Sequence, residues 1–221
     1  MTRRFPFGLE PEASDPVLDE RGLDTVNRLL LHGARYHDRS AVFVSNDLEE
    51  MPDWRADRFS VRIALALAED FGVGPEDVVS IEMPLSIRFA LAERAVWALG
   101  AVTAIGSGPR PINEVKAVIA NDSDWKALLD RGAALDTPER ASALRALARR
   151  TPPEAIASIE PHGFLRQRDW VDEIESFLVR FPPERRSRNV SSSGDPSFPA
   201  RTELYAGWAD GRTTVVLTLR P

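Results

Sequence analysis

The chain has 221 residues, 43% of them hydrophobic and 28% charged, with a formal net charge of −6. That length allows one domain with a core of ordinary size, and the acidic balance works against nucleic acid as a partner, since affinity there comes largely from phosphate neutralisation. Cysteine is absent, which excludes disulfide frameworks, thiolate metal sites and cysteine nucleophiles. No apolar run reaches the roughly 20 residues of a membrane span, and "MTRRFPFGLEPEASD" lacks the apolar stretch of a secretory signal. Cytoplasmic residence is the resulting expectation.

Residues 1–23 are rich in Pro, Glu and Asp and read as an N-terminal arm. From Asp24, "DTVNRLLLHGARYH" places Val26, Leu29, Leu30 and Ala34 at helical spacing. "SAVFVS" predicts a strand and "NDLEEMPDW" a turn and connection. "RFSVRIALALAED" carries Phe59, Ile63, Ala66 and Leu67 on one helical face, with Gly72 where a C-cap belongs. "GVGPED" is a turn, "VVSIEM" a buried strand stopped by Pro84, and "SIRFALAERAVWALG" a helix capped by Ser86 and ended by Gly100. "AVTAIGSG" predicts a strand, "INEVKAVIAN" a short helix and "WKALLD" a short strand.

"DTPERASALRALARR" predicts a helix with Thr137 as N-cap, Pro138 in its first turn and arginines at its C-terminal end. "RDWVDEIESFLVRF" predicts another, with Val171, Ile174, Phe177 and Leu178 facing a core. Residues 182–201 are polar and rich in Pro, Ser and Arg, the composition of a linker or loop. In 202–221, two alternating runs flank Asp210-Gly211, the pattern of a β-hairpin. The fold class expected from this order is α/β: a mainly parallel sheet flanked by helices over residues 24–181, with a C-terminal β-hairpin.

In their order and spacing, residues from about 24 to 130 resemble the N-terminal region of the adenylate-forming enzymes, the superfamily of acyl-CoA synthetases, peptide-synthetase adenylation domains and luciferases. "TVNRLLLHGARYHDRSAVFV" looks like that family's opening helix and first strand. "IALALAEDFGVGPEDVVSIEMPLSIRFALAERAVWALGAV" looks like its helix, "GVGPGD" turn, "VAILLPNS" strand and "LAVLKAGAV" helix. "GPRPINEVKAVIANDSDWKALLD" looks like its next loop, helix and strand. The resemblance implies scaffold rather than chemistry in this region. The family's phosphate loop, adenine and metal motif, ribose-binding aspartate and catalytic lysine all lie further along.

One stretch stands where that phosphate loop would be. "VSSSGDPSFPAR" offers Ser192, Ser193 and Gly194, beginning from Ser191, as weak phosphate-binding candidates. Asp195 adds negative charge, no lysine follows, and Arg201 is the cation nearest downstream. The bland reading of the same stretch is a Ser/Pro-rich linker. The resemblance therefore implies a shortened relative that does not adenylate alone and serves as a binding or assembly component, with no cofactor. The alternative is a subunit of a split acyl- or aryl-adenylating ligase that acts on ATP, AMP or acyl-CoA once a partner chain completes it. A protein partner or a second copy is expected; nucleic acid and a membrane span are not.

Other constellations carry less. His32 and His37 lack the i,i+4 spacing of paired ligands, and no catalytic or metal-ligating set emerges. His162 near Glu160 suggests either a general acid–base pair or a surface hydrogen bond. "GSGPRP" at Gly106 to Pro111 lacks the third glycine of a dinucleotide turn. Arg185, Arg186 and Arg188 adjoin Glu184 and read as a solvated face. Trp97 and Trp170 fall in helical patterns, as core or interface anchors.

Overall fold

The computed structural model describes residues 25–27, 29–30, 43–44, 50–51, 53–105, 115–181, 189–191, 196–209 and 214–216. A first helical stretch, α1, includes Val26, Asn27, Leu29 and Leu30. Then come β1 (Phe43–Val44), β2 (Glu50–Met51), α2 (Asp53–Phe71), β3 (Val78–Ile81), α3 (Ile87–Ala98), β4 (Val102–Ile105) and β5 (Val115–Ile119). The order continues with α4 (Asp122–Leu135), α5 (Pro138–Arg150), β6 (Ile156–Glu160), β7 (Gly163–Arg166) and α6 (Gln167–Arg180). It closes with β8 (Asn189–Ser191), α7 (Phe198–Ala209) and β9 (Thr214–Val216).

The strands form two sheets. One has the order β5-β3-β4-β6-β7, parallel except for the antiparallel β6–β7 pair; the other has the order β2-β1-β9-β8. In the second sheet β9 runs parallel to both β1 and β8. The expected α/β class with a mainly parallel sheet is therefore what the chain adopts.

Local chemistry explains the helix ends. Ser86 caps α3 by accepting a hydrogen bond from the Phe89 amide at 3.1 Å, Thr137 accepts from Arg140 N above Pro138, and Arg149 and Arg150 close α5 against its dipole. Gly72 and Gly100 sit just past α2 and α3 at φ +63° and +69°, a region that favours glycine. α3 lies at the centre of the molecule, buried on all sides from Phe89 to Trp97. Such a helix has no polar face to betray its period.

Three expectations are overturned. "INEVKAVIAN" does not form a helix: its Val115–Ile119 run is β5, whose exposure alternates, with Lys116 and Val118 out and Ala117 and Ile119 in. "WKALLD" does not form a strand: it lies inside α4, where Asn121 caps the amides of Ser123 and Asp124, and Trp125, Leu128 and Gly132 are buried at helical spacing. The C-terminal hairpin over 202–221 is replaced by a helix and a parallel strand. Residues 198–209 form α7, and β9 pairs with β1 and β8 rather than with the segment before it. The alternation of Thr202, Leu204, Ala206 and Trp208 imitated a strand because α7 is buried all round, Tyr205 and Gly207 included. Further elements went unforeseen: β2 inside "NDLEEMPDW", β8 inside 182–201, and the β6–β7 hairpin turning at Pro161 and His162.

Candidate functional site

Ser192, Ser193 and Gly194 lie outside the described residues, and so do His32, His37, Gly106 to Pro111, and Arg185, Arg186 and Arg188. The flanks of the Ser/Gly segment are described. β8 enters it and α7 follows it, so it connects a strand of a parallel pair to a helix. Asn189–Ser191 does form a strand, although "ERRSRN" in front of it is strongly polar.

The cation downstream of the segment is fully engaged. Arg201 stands in the first turn of α7, is completely buried, and forms ion pairs through Nη1 with Glu93 Oε1 and through Nη2 with Glu160 Oε1. Glu93 comes from the middle of α3 and Glu160 from the end of β6. The second Glu93 oxygen accepts a hydrogen bond from the Tyr205 hydroxyl, one turn along α7. Thr103 Oγ1, on β4, lies 3.1 Å from Glu93 Oε1 and 3.2 Å from the Ala157 carbonyl. Two carboxylates and one guanidinium thus meet in one largely buried space, with only Glu160 keeping a little exposure.

Aromatic rings form the walls. The Arg201 guanidinium lies 4.9 Å from the Trp170 ring centre, an arrangement that favours the cation. Trp97, Trp170 and Tyr205 meet pairwise with centroids 5.2 to 5.6 Å apart. Each tryptophan also has an indole partner, Trp97 Nε1 donating to Ala157 O at 2.9 Å and Trp170 Nε1 to Ser158 Oγ at 3.3 Å. α1 is tied in as well, since Asn27 Nδ2 donates to the Trp97 carbonyl at 2.6 Å.

Electrostatics follow from the burial. Loss of water pushes the Glu93 carboxyl above the usual carboxylate range, and Arg201, Tyr205 and Thr103 pull it only part of the way back. The Tyr205 hydroxyl is held well above the ordinary tyrosine range, first by burial and then by the Glu93 charge. Burial works against the Arg201 charge, but Glu93 and Glu160 outweigh it. A second ionic centre sits beside the first. Asp57 on α2 accepts from Arg94 on α3 at 2.6 Å and from Arg145 on α5 at 2.8 Å, and Arg94 lies 4.6 Å from the Trp208 ring centre.

This arrangement binds elements of the fold to one another. Glu93 and Arg201 have no exposed surface, so neither can exchange a proton with, or place a charge on, an external ligand. The expected neighbourhood of His162 and Glu160 does not make an acid–base pair: His162 is exposed in the β6–β7 turn, and the Glu160 carboxylate is given to Arg201. Of the two lysines, Lys126 pairs with Asp130 on the surface of α4 and Lys116 lies 3.5 Å from Asp77. Among the described residues no group of three or more His, Asp or Glu could hold a metal ion, and no helix is long and apolar enough to cross a membrane. The cluster had one sequence signal: Glu93-Arg94 interrupts "FALA" and "AVWALGAV", a charged pair with no polar face to occupy.

No protein-family model matches the sequence, and no curated protein matches it. Solved structures do match in shape. The N-terminal domain of FACL13 from Mycobacterium tuberculosis superposes with a TM-score of 0.62 at 18% identity, over 88% of this chain and 57% of that one. The long-chain-fatty-acid-CoA ligase FadD1 from Archaeoglobus fulgidus gives 0.66 at 12% identity, over 87% and 46%. An adenylation–PCP di-domain, NpsA-ThdA from Klebsiella oxytoca, gives 0.61 at 13% identity, over 90% and 40%. The chain has the fold of the N-terminal part of acyl-CoA synthetases and adenylation domains. It spans about half the length of these structures.

Proposed function

We propose that this chain is a binding or assembly component built on the adenylate-forming scaffold, and that it does not adenylate a carboxylic acid on its own. The position of Arg201 carries this reading. In the resembled family a cation closes the Ser/Thr/Gly-rich phosphate loop. Between Gly194 and Arg212 this chain offers Arg201 and no other cation, and Arg201 is spent inside the protein on Glu93 and Glu160. In sequence Ser192–Gly194 are followed by Asp195, which adds negative charge, and the buried Arg201 of α7 is already paired.

ATP–pyrophosphate exchange tests the proposal. The purified chain with magnesium and a panel of short, long-chain, aryl and amino acids is expected to stay at the rate of a protein-free blank. Exchange clearly above that blank with any acid overturns the reading. The alternative is a subunit of a split acyl- or aryl-adenylating ligase completed by a partner chain. It is supported instead if exchange appears only after a second chain is added.

A further inference from the structure

The completely buried Glu93 is faced from several elements at once. Arg201 and Tyr205 reach it from α7, Glu160 on β6 shares its guanidinium, and Thr103 approaches it from β4. Arg94, the next residue on α3, turns instead to Asp57 on α2, where Arg145 of α5 also pairs. α6 meets the cluster through the Trp170 ring. Two carboxylates therefore share one guanidinium. With both ionised the space holds one net negative charge largely away from water, an unfavourable state. With Glu93 neutral the charges balance, Arg201 against Glu160.

The hydrogen bonds accommodate either state. When Glu93 is ionised, Thr103 donates to its Oε1 at 3.1 Å. When Oε1 carries a proton, Thr103 Oγ1 can accept it as a hydrogen bond and give its own hydrogen to the Ala157 carbonyl, 3.2 Å away. Rotation of one hydroxyl serves both. The elements around Glu93 are not equally anchored. β4 and β6 pair with each other inside the five-stranded sheet. α7 stands outside that sheet and has 12 residues, a length at which a helix depends on its packing. Its Arg201 and Tyr205 ties to α3 both end on Glu93.

We infer that Glu93 is a proton-operated latch on α7: the neutral acid holds the helix closed over α3 and β6, and ionisation loosens it. The latch is independent of whether the chain adenylates an acid. Burial first, and the Glu160 charge with it, lift the Glu93 carboxyl above the usual range. Closure is therefore strongest below the ordinary glutamate value, near 4.3, and weakens as pH rises through the folded one.

Native-state hydrogen exchange, corrected for the intrinsic pH dependence of amide chemistry, reads the latch. Amides of Leu204 to Trp208 should exchange at least about tenfold faster than those of β4, through an opening of α7 that leaves the sheet intact. Their protection should fall from mildly acid to mildly alkaline pH, by up to about tenfold per unit. In Glu93→Gln, which mimics the neutral acid, protection should stay level. In Glu160→Gln, which leaves Arg201 a single carboxylate, the fall should be smaller than in the wild type. Circular dichroism confirms that each variant is folded. Amides of α7 as protected as those of β4, wild-type protection that does not change with pH, or a fall in either variant as steep as in the wild type overturns the inference.

Discussion

Glu93 is the residue whose environment departs furthest from its chemistry. Replacing a buried pair by apolar groups can be neutral, but removing one partner strands the other. Arg201→Met leaves Glu93 and Glu160 facing each other without their cation, and a loss of about 3–5 kcal/mol in urea unfolding is expected. The pH dependence has a definite sign. The folded carboxyl of Glu93 binds its proton more tightly than the unfolded one, so its favourable contribution is complete below the unfolded pKa, near 4.3. That contribution is lost as pH rises through the folded value. Wild-type stability should therefore fall relative to Glu93→Gln between acid and neutral pH. Parallel urea midpoints for the two proteins across that range would contradict this account of the site.

Gly132 makes a residue-scale case of a different kind. A Cβ there would sit 1.9 Å from the Arg62 carbonyl oxygen, because α4 crosses α2 at that point. Alanine is the better helix former by about 1 kcal/mol, yet Gly132→Ala is expected to destabilise by about 1–3 kcal/mol through the forced separation of the helices. Its thermal midpoint should drop. A rise would show that the helices part freely.

Elements with a one-sided environment could be read from their residues; of those buried all round, β3 and α3 could be read from the signals at their ends, Pro84, Ser86 and Gly100, and α7 could not. α5 announces itself through Thr137, Pro138 and its closing arginines, and α6 through Val171 and Ile174 on one face. β5 and α4 were exchanged because "VKAVI" and "WKALLD" are short, and in isolation each satisfies either period. The exposure of Lys116 and Val118 against the burial of Ala117 and Ile119 settles the first; the Asn121 cap settles the second. α7 was read as a strand because an all-buried helix has no polar face, and any alternate residues of such a helix look like a strand. NMR Cα shifts for 198–209 should be displaced in the helical direction throughout. Strand-like shifts at Thr202 to Trp208 would restore the hairpin.

At the scale of the molecule, α3 and α7 are central helices held by charge as well as packing. Arg201 and Tyr205 fasten α7 to α3, and Arg201 reaches Glu160 on the five-stranded sheet. α7 also packs against α6 and against β8 and β9 of the other sheet. The scaffold was legible from residues 24–130 because turn, strand and helix follow one another in a recognisable order. The ionic centre was not, because Glu93, Glu160 and Arg201 are up to 108 positions apart and meet only in the folded chain.

The commitment of Arg201 is the observation on which the functional account turns, and guanidinium NMR measures it directly. With Arg201 assigned by its response to Glu160→Gln, its Nη groups should give separate, slowly exchanging signals, as expected for a side chain clamped between two carboxylates. Saturating magnesium–ATP or pyrophosphate should leave those signals in place. Signals that are averaged in the free protein, or that shift when ATP is added, would show Arg201 available to phosphate and contradict the account.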